Sequence, residues 1–419
     1  MTLTVPKEGR TKQAYKATSC LLCGAGRIER VLPLAHSAIG NDYLSEPAPQ
    51  PTFSLSLWLC HDCGNVQIED VVNPDALFRS YTYSTAHSLG LIDHFRKYAE
   101  EVSEAVSPPK GSLVVDIGSN DGSLLKAFQE RGHDVVGVDP AVGIAEQASA
   151  AGLPTLPEYF TGSVAEGIRD RFGAASIVTA NNVFAHSDRL PEMAEGVRSL
   201  LAPDGVFVFE VSYLLDIVQK MLWDTVYHEH LCYHSVRSLR SLFARHGLEL
   251  CGVKRIASKG GSIRGTVQLA GGPRPVDPEV GRMVAWEELL RLHHPDTFAD
   301  FSHRIRVAKE EFTELLDRLK GQGSRIAGYG ASPTVTTLIS QFELGDRLDF
   351  LVDDNPVKQH TFSPGDHLPV YPSDALYSRG ADVAAVLAWN YAAPITARHA
   401  RFTQGGGRFV VPLPMLRVV

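Results

Sequence analysis

Leu113-Val-Val-Asp-Ile-Gly-Ser-Asn-Asp-Gly122 decides how the middle of this chain is read. Its first five residues, apolar apart from Asp116, suit a strand covered on both faces. A glycine-rich turn follows, and Ser123 to Arg131 has helical character. The pattern recurs downstream. His133 to Asp139, Ser176 to Asn181 and Gly205 to Val211 read as further strands, the last after a Leu201-Ala-Pro-Asp-Gly205 turn. Strands alternating with helices at this spacing predict an α/β fold with a doubly wound parallel sheet. The turn is not the GxGxxG dinucleotide fingerprint. Asp139 closes the next strand, 23 residues after Asp116.

The DxGxxxG spacing, with Asp139 behind it, resembles class I AdoMet-dependent methyltransferases. That resemblance implies S-adenosylmethionine as cofactor. It makes Asp116, Gly118, Asn120, Gly122 and Asp139 the cofactor-binding candidates, with Asn181 at a later strand end. Phe160 either lines the adenine pocket or belongs to the core. A structural turn in another Rossmann-like fold is the competing reading.

Upstream lie two matching knuckles, Cys20-Leu-Leu-Cys23-Gly and Cys60-His-Asp-Cys63-Gly. Two CxxC turns bring four thiolates onto one tetrahedral ion, so a structural Zn²⁺ held by Cys20, Cys23, Cys60 and Cys63 is expected. A pair of redox dithiols is the alternative. Cys232 and Cys251 fall in no motif and read as buried structural cysteines. Phe53 to Leu59 alternates like a strand, Val66 to Asp70 reads as a second, and residues 74 to 108 as a helical connector. Downstream, a charged helical stretch over 283 to 320 breaks near His294-Pro295. Further βα units start at Ser324, Leu348, Val383 and Phe409. Three domains are expected: a zinc-binding module over 1–70, a methyltransferase domain over 71–270 and a Rossmann-like domain over 271–419.

Lys plus Arg number 40 against 48 Asp plus Glu, a net charge of -8 in 419 residues. That balance speaks against a nucleic-acid binder. With no apolar run of membrane-spanning length and no signal core, a cytoplasmic enzyme without membrane attachment is expected.

The densest titratable cluster is Tyr227-His-Glu-His-Leu-Cys-Tyr-His234. A metal site on His228, His230 and His234, a solvated loop and general acid/base chemistry are all open readings, and histidine near neutral pH favours the last. Nearly the whole chain resembles the three-domain deoxysugar C-methyltransferases of antibiotic sugar biosynthesis. It looks close to those acting at C-3' of a dTDP-linked sugar, as in the tetronitrose pathway. The matching pieces are the two knuckles, Pro33-Leu-Ala, Asp116 to Gly122, Tyr227-His-Glu-His230, Gly260-Gly-Ser-Ile-Arg264, Gly328-Tyr-Gly-Ala331, Val352 to Pro356 with Lys358-Gln359, and Leu387-Ala-Trp-Asn390.

The resemblance implies a dTDP-4-keto-deoxysugar substrate between the middle and C-terminal domains. It implies His230 as base, with Tyr227, Glu229, His186 and Tyr81 completing the catalytic group. The substrate-binding candidates it supplies are Lys259, Ser262, Arg264, Tyr329, Gly330, Ser332, Asn355, Trp389 and Asn390. The chain departs from the family pattern at Lys259, at Ser332-Pro-Thr-Val335 and after Asn390, all in the nucleotide-facing part. An O- or N-methyltransferase, C-5 in place of C-3, and a catalytically inactive zinc-containing interaction module are the rival readings.

Overall fold

The structure is a computed structural model that describes residues 13–78 and 90–419. Its centre is a seven-stranded sheet. We label its strands β1 (Leu113–Ile117), β2 (Asp134–Val138), β3 (Thr155–Leu156), β4 (Ala175–Asn181), β5 (Leu201–Ser212), β6 (Leu248–Ile256) and β7 (Ser262–Leu269). Their spatial order is β3-β2-β1-β4-β5-β7-β6. The first five strands run parallel, and β7 is antiparallel to both its neighbours. All five residues of β1 are buried, as a strand sandwiched between helices requires. The strand order reverses between β1 and β4. Ligands of open α/β sheets lie beyond the strand ends at such a point, and Asp116, Gly118 and Asn181 gather there.

A second sheet follows the helix Pro295–Gly321. Its strands are β8 (Ile326–Tyr329), β9 (Phe350–Val352), β10 (Val370–Tyr371), β11 (Val383–Val386), β12 (Arg408–Val411) and β13 (Arg417–Val418). They lie in the order β10-β9-β8-β11-β12-β13, parallel except for β13.

The amino-terminal module is β-rich. Leu57–Cys60 pairs with Ile28–Leu32 on one side and Val66–Ile68 on the other, all antiparallel. The fourth strand of this sheet, Cys232–Tyr233, comes from the titratable cluster more than 160 residues downstream and pairs with Val66–Gln67.

Two local expectations are corrected. The stretch from Phe53 to Leu59 is not one strand: Thr52–Ser54 and Leu57–Cys60 belong to different sheets. Side-chain hydrogen bonds bend the chain between them, because Ser54 Oγ accepts from Ser56 N and donates to Glu69, while Ser56 Oγ donates to the Leu34 carbonyl. Residues 201–205 are not a separate turn. They form the bulged start of β5, whose register on β4 slips between Ala175↔Leu201 and Ile177↔Val206. The expected break near His294 is present, since Pro278–Leu289 ends before the helix beginning at Pro295.

Candidate active site and metal site

In the amino-terminal module, the four sulfurs of Cys20, Cys23, Cys60 and Cys63 all lie within 4.8 Å of one another. Cys20–Cys63 and Cys23–Cys60 are separated by 3.5 and 3.6 Å. A tetrahedron of about 2.3 Å Zn–S bonds needs sulfurs just under 4 Å apart, so the donor set fits zinc without rearrangement. Each knuckle turns back on itself, Gly24 N donating to the Cys20 carbonyl and Gly64 N to that of Cys60. Gly64 sits at φ +78, and a Cβ there would lie 2.7 Å from the His293 ring. Among the described residues this is the one cluster of Cys, His, Asp and Glu able to hold a metal. His228 and His234 instead serve the framework, bonding through Nε2 to the carbonyls of Phe53 and Phe184.

At the turn after β1, Asp139 accepts from the backbone N–H of Asn120 and of Ala141, both at 2.9 Å, and so fixes the loop. Burial raises its pKa more than these bonds lower it. Asp116 is more enclosed. Burial pushes its carboxyl up to about 7 despite the 2.6 Å hydrogen bond donated by Thr179. At the end of β4, the amide of Asn181 is buried with neither Oδ1 nor Nδ2 partnered among the described residues. A buried amide in that condition costs roughly 1–3 kcal/mol, and a polar ligand beyond the strand ends would relieve it. Gly122 leads into the helix Ser123–Gln129. Phe160 is buried in the core, and a Cβ on Gly196 would come within 3.0 Å of its ring.

Gly118 sets the floor of this site at φ +70, where a Cβ would lie 2.3 Å from Val183 Cγ2. Gly118→Ala is therefore expected to cost about 1–2 kcal/mol for the left-handed backbone and about 1–3 more for overpacking. It should also weaken AdoMet binding by displacing the turn. Thermal melting and calorimetric AdoMet titration check this, and parent-like values in both would contradict it.

The second cluster forms where the central and C-terminal sheets meet. His230 Nδ1 lies 2.8 Å from the Thr225 carbonyl. A carbonyl can only accept, so Nδ1 carries the proton and Nε2 keeps its lone pair. The ring sits 4.0 Å from that of Tyr227 and 5.0 Å from that of His186, centroid to centroid. Phe78 stacks on His186, its ring centroid 6.0 Å away. Burial pushes the His230 pKa down to about 4, and the nearby Lys259 ammonium adds to this against the opposing Thr225 bond. His186 is lowered well below its usual value, by burial first, then by His230 and Lys259. Both rings are thus neutral bases at physiological pH. Glu229 is buried, and its charge bears on Lys259 and on Lys358. Tyr81 lies outside the described residues.

Lys259 occupies a turn at φ +51 and keeps part of its surface open, while the protein packed around its ammonium lowers its pKa. Asn390 is exposed, and a Cβ on Gly260 would lie 3.6 Å from its Oδ1. Ser332 caps the helix Pro333–Phe342 by accepting from Val335 N. Asn355 forms the next turn, taking a hydrogen bond from Val357 N. Gly330 N donates to the Val352 carbonyl.

Other candidates are committed to the walls. Trp389 Nε1 donates to the buried Asp224 at 2.8 Å. Tyr329 donates to Asp354 or His399, both 3.0 Å away. Ser262 donates to the Ser258 carbonyl. Arg264 is bound to Glu210 and Glu101 at 2.6 and 2.7 Å and lies over the Tyr98 ring. These four side chains therefore shape the site through their neighbours, because their polar atoms are already engaged.

Sequence reasoning left out Lys358 as a site residue, although Lys358-Gln359 stood among the matching motifs. Its ammonium reaches Asn41 Oδ1 at 2.6 Å and lies 4.1 Å from the centre of the Tyr43 ring. Burial lowers its pKa to about 8 against the charges of Asp353, Glu229 and Asp42. Asp224, held by burial at about 7, was also missed. An acidic residue in an apolar stretch was its sole signal.

The chain is similar to known proteins along most of its length. A zinc binding domain model matches residues 20–78, a methyltransferase domain model 66–252, and a C-methyltransferase C-terminal domain model 257–414. C-methyltransferase NovU of Streptomyces niveus is 34% identical over 388 residues, covering 92% of each chain. Among solved structures, an S-adenosylmethionine-dependent methyltransferase from Clostridium acetobutylicum is 14% identical, with a TM-score of 0.35 over 43% of this chain and 92% of its own. Magnesium protoporphyrin IX methyltransferase from Synechocystis is 15% identical, with a TM-score of 0.32 over 42% and 81%. No helix among the described residues is long and apolar enough to cross a membrane. With a four-cysteine donor set that fits zinc, a methyltransferase domain model over residues 66–252 and near full-length similarity to NovU, the chain belongs to the zinc-containing, AdoMet-dependent C-methyltransferases.

Proposed function

We propose that the enzyme methylates the carbon beside the ketone of a dTDP-linked 4-keto-deoxysugar, C-3 by preference, through an enolate. The observation that carries the reading is His230, a neutral imidazole with its Nδ1 proton fixed on Thr225 and its Nε2 without a partner among the described residues. A C–H next to a ketone is acidified because the electron pair released spreads onto the carbonyl oxygen. His230 Nε2 takes that proton and becomes an imidazolium, which later returns it to solvent. Positive charge from Lys259 and a hydrogen bond from Tyr227 favour the developing oxyanion. His186, neutral and stacked on His230, keeps water from the ring. The turn of Gly118 and Gly122 together with Asp139 would hold AdoMet, which when bound would supply an electrophilic methyl and leave as S-adenosylhomocysteine. Holding both reactants in line supplies at best about 7–11 kcal/mol of the barrier.

The nucleotide end of the substrate is received by the C-terminal part. Ser332 and the amino terminus of its helix face the diphosphate, with Lys259, Lys358, Asn355 and Asn390 around it. Tyr329, Gly330, Ser262, Arg264 and Trp389 set the walls.

The reading is tested by incubating the enzyme with AdoMet and a panel of dTDP-4-keto-deoxysugars, followed by mass spectrometry and NMR of the product. The methyl is expected on C-3. Without AdoMet, the enzyme should exchange the C-3 hydrogen with D₂O. A methyl on oxygen or nitrogen, or turnover with no exchange, would reject the enolate route, and a methyl on C-5 would reject C-3.

A further inference from the structure

The loop that carries His230 is held between two bodies. On one side, Leu231 N and Cys232 N both donate to the Ala185 carbonyl, at 2.8 and 3.2 Å, next to His186. On the other side, Cys232–Tyr233 forms the edge strand of the metal module, and Ile68 N donates to the Leu231 carbonyl at 3.0 Å. Asn65, the second residue after the knuckle cysteine Cys63, stands at the join and is fully buried. Its Nδ2 reaches three acceptors: Cys20 Sγ at 3.8 Å, Cys232 Sγ at 3.7 Å and Gln67 Oε1 at 3.1 Å. One amide thus touches a metal ligand and the residue two places after His230. Its Oδ1 has no partner among the described residues. A half-satisfied buried amide is costly, so an apolar side chain would serve better there if filling space were the only requirement.

We propose that Asn65 and Cys232 are positioning residues, through which the four-cysteine metal knuckle holds the His230 loop closed against the end of β4. The zinc module then acts in catalysis by keeping the base enclosed and aimed, beyond its part in folding. This rests on His230 being the base. The groups around His230 are Tyr227 and Glu229 from its own loop, His186 from the loop after β4, and Lys259 from the turn before β7. Of these, burial and Lys259 hold the ring below its ordinary value. A slackened loop lets water in, and the ring regains protons at a higher pH.

The test compares Cys232→Val, which fills the space but cannot accept from Asn65, with Cys232→Ser, which can. Neither touches a metal ligand, and zinc content and AdoMet affinity are expected to match the parent in both. Cys232→Val should lower kcat/KM by about 10- to 100-fold, the range seen when outer-shell supports are removed. Its acid limb should move up toward about 6.5, the value for a free histidine. Cys232→Ser should keep the parent rate and acid limb. A parent-like valine variant, or equal impairment of both, would overturn the proposal. If Cys232→Val does not fold, zinc-loaded Asn65→Leu is read by the same criteria. His230→Ala is run alongside. An active His230→Ala enzyme refutes the base assignment, whereas an inactive one beside a parent-like Cys232→Val refutes only the positioning role.

Discussion

His230→Ala is expected to lose methyl transfer by about 10²–10⁴-fold, the contribution typical of a positioned general base. AdoMet affinity should stay at the parent value, because the glycine turn and Asp139 lie on a different loop. Alanine removes the Nε2 lone pair and the hydrogen bond to Thr225 together. His230→Gln keeps a donor for that carbonyl and should be just as inactive, which separates proton removal from loop support. The pH profile of the parent carries the same signature. The base works only when neutral, and burial places its protonation near 4, so activity is retained on lowering the pH through 6 and falls as pH approaches 4. Turnover by His230→Ala near the parent rate would end the assignment.

Loss of zinc is expected to be the largest change in stability. Structural zinc contributes an apparent 10–16 kcal/mol or so in small modules near neutral pH. A unit of this size has too little core to keep the parent's stability without that contribution. Cys60→Ser should therefore bind little or no zinc and melt in two steps, the amino-terminal sheet first. Because Cys232–Tyr233 is the edge strand of that sheet, methyl transfer should fall with the first step while AdoMet still binds. Metal analysis and circular dichroism melting check this. A single parent-like transition in zinc-free Cys60→Ser would show that the sheet stands without its metal.

The parallel core was legible because its strands are covered on both faces and so read as apolar runs, Leu113–Ile117 and Ala175–Asn181 most plainly. The hairpin of β6 and β7 was not. Lys254 and Arg255 stand exposed on its edge strand, and such mixed polarity gives no clear period. Four cysteines in two knuckles announced a metal because the spacing itself is the chemistry. Three histidines within seven residues announced less. His228 and His234 turn to carbonyls of distant segments and His230 to that of nearby Thr225, and that choice is made by the path of the loop between Ile68 and Ala185. Arg264 also followed a matching motif, but its guanidinium is taken up by Glu210 and Glu101, acids that no local pattern ties to it.

The amino-terminal module also reaches across to the last third of the chain. Ala35 exchanges hydrogen bonds with Gln341, Gly40 receives one from Thr336, Asn41 one from Lys358, and Leu44 pairs with Phe362. The three parts are consequently a poor set of interchangeable cassettes. A recombinant that borrows a relative's C-terminal third to change substrate preference would place foreign residues opposite the 35–44 loop. It would do better to inherit that loop, and the sheet behind it, from the same parent.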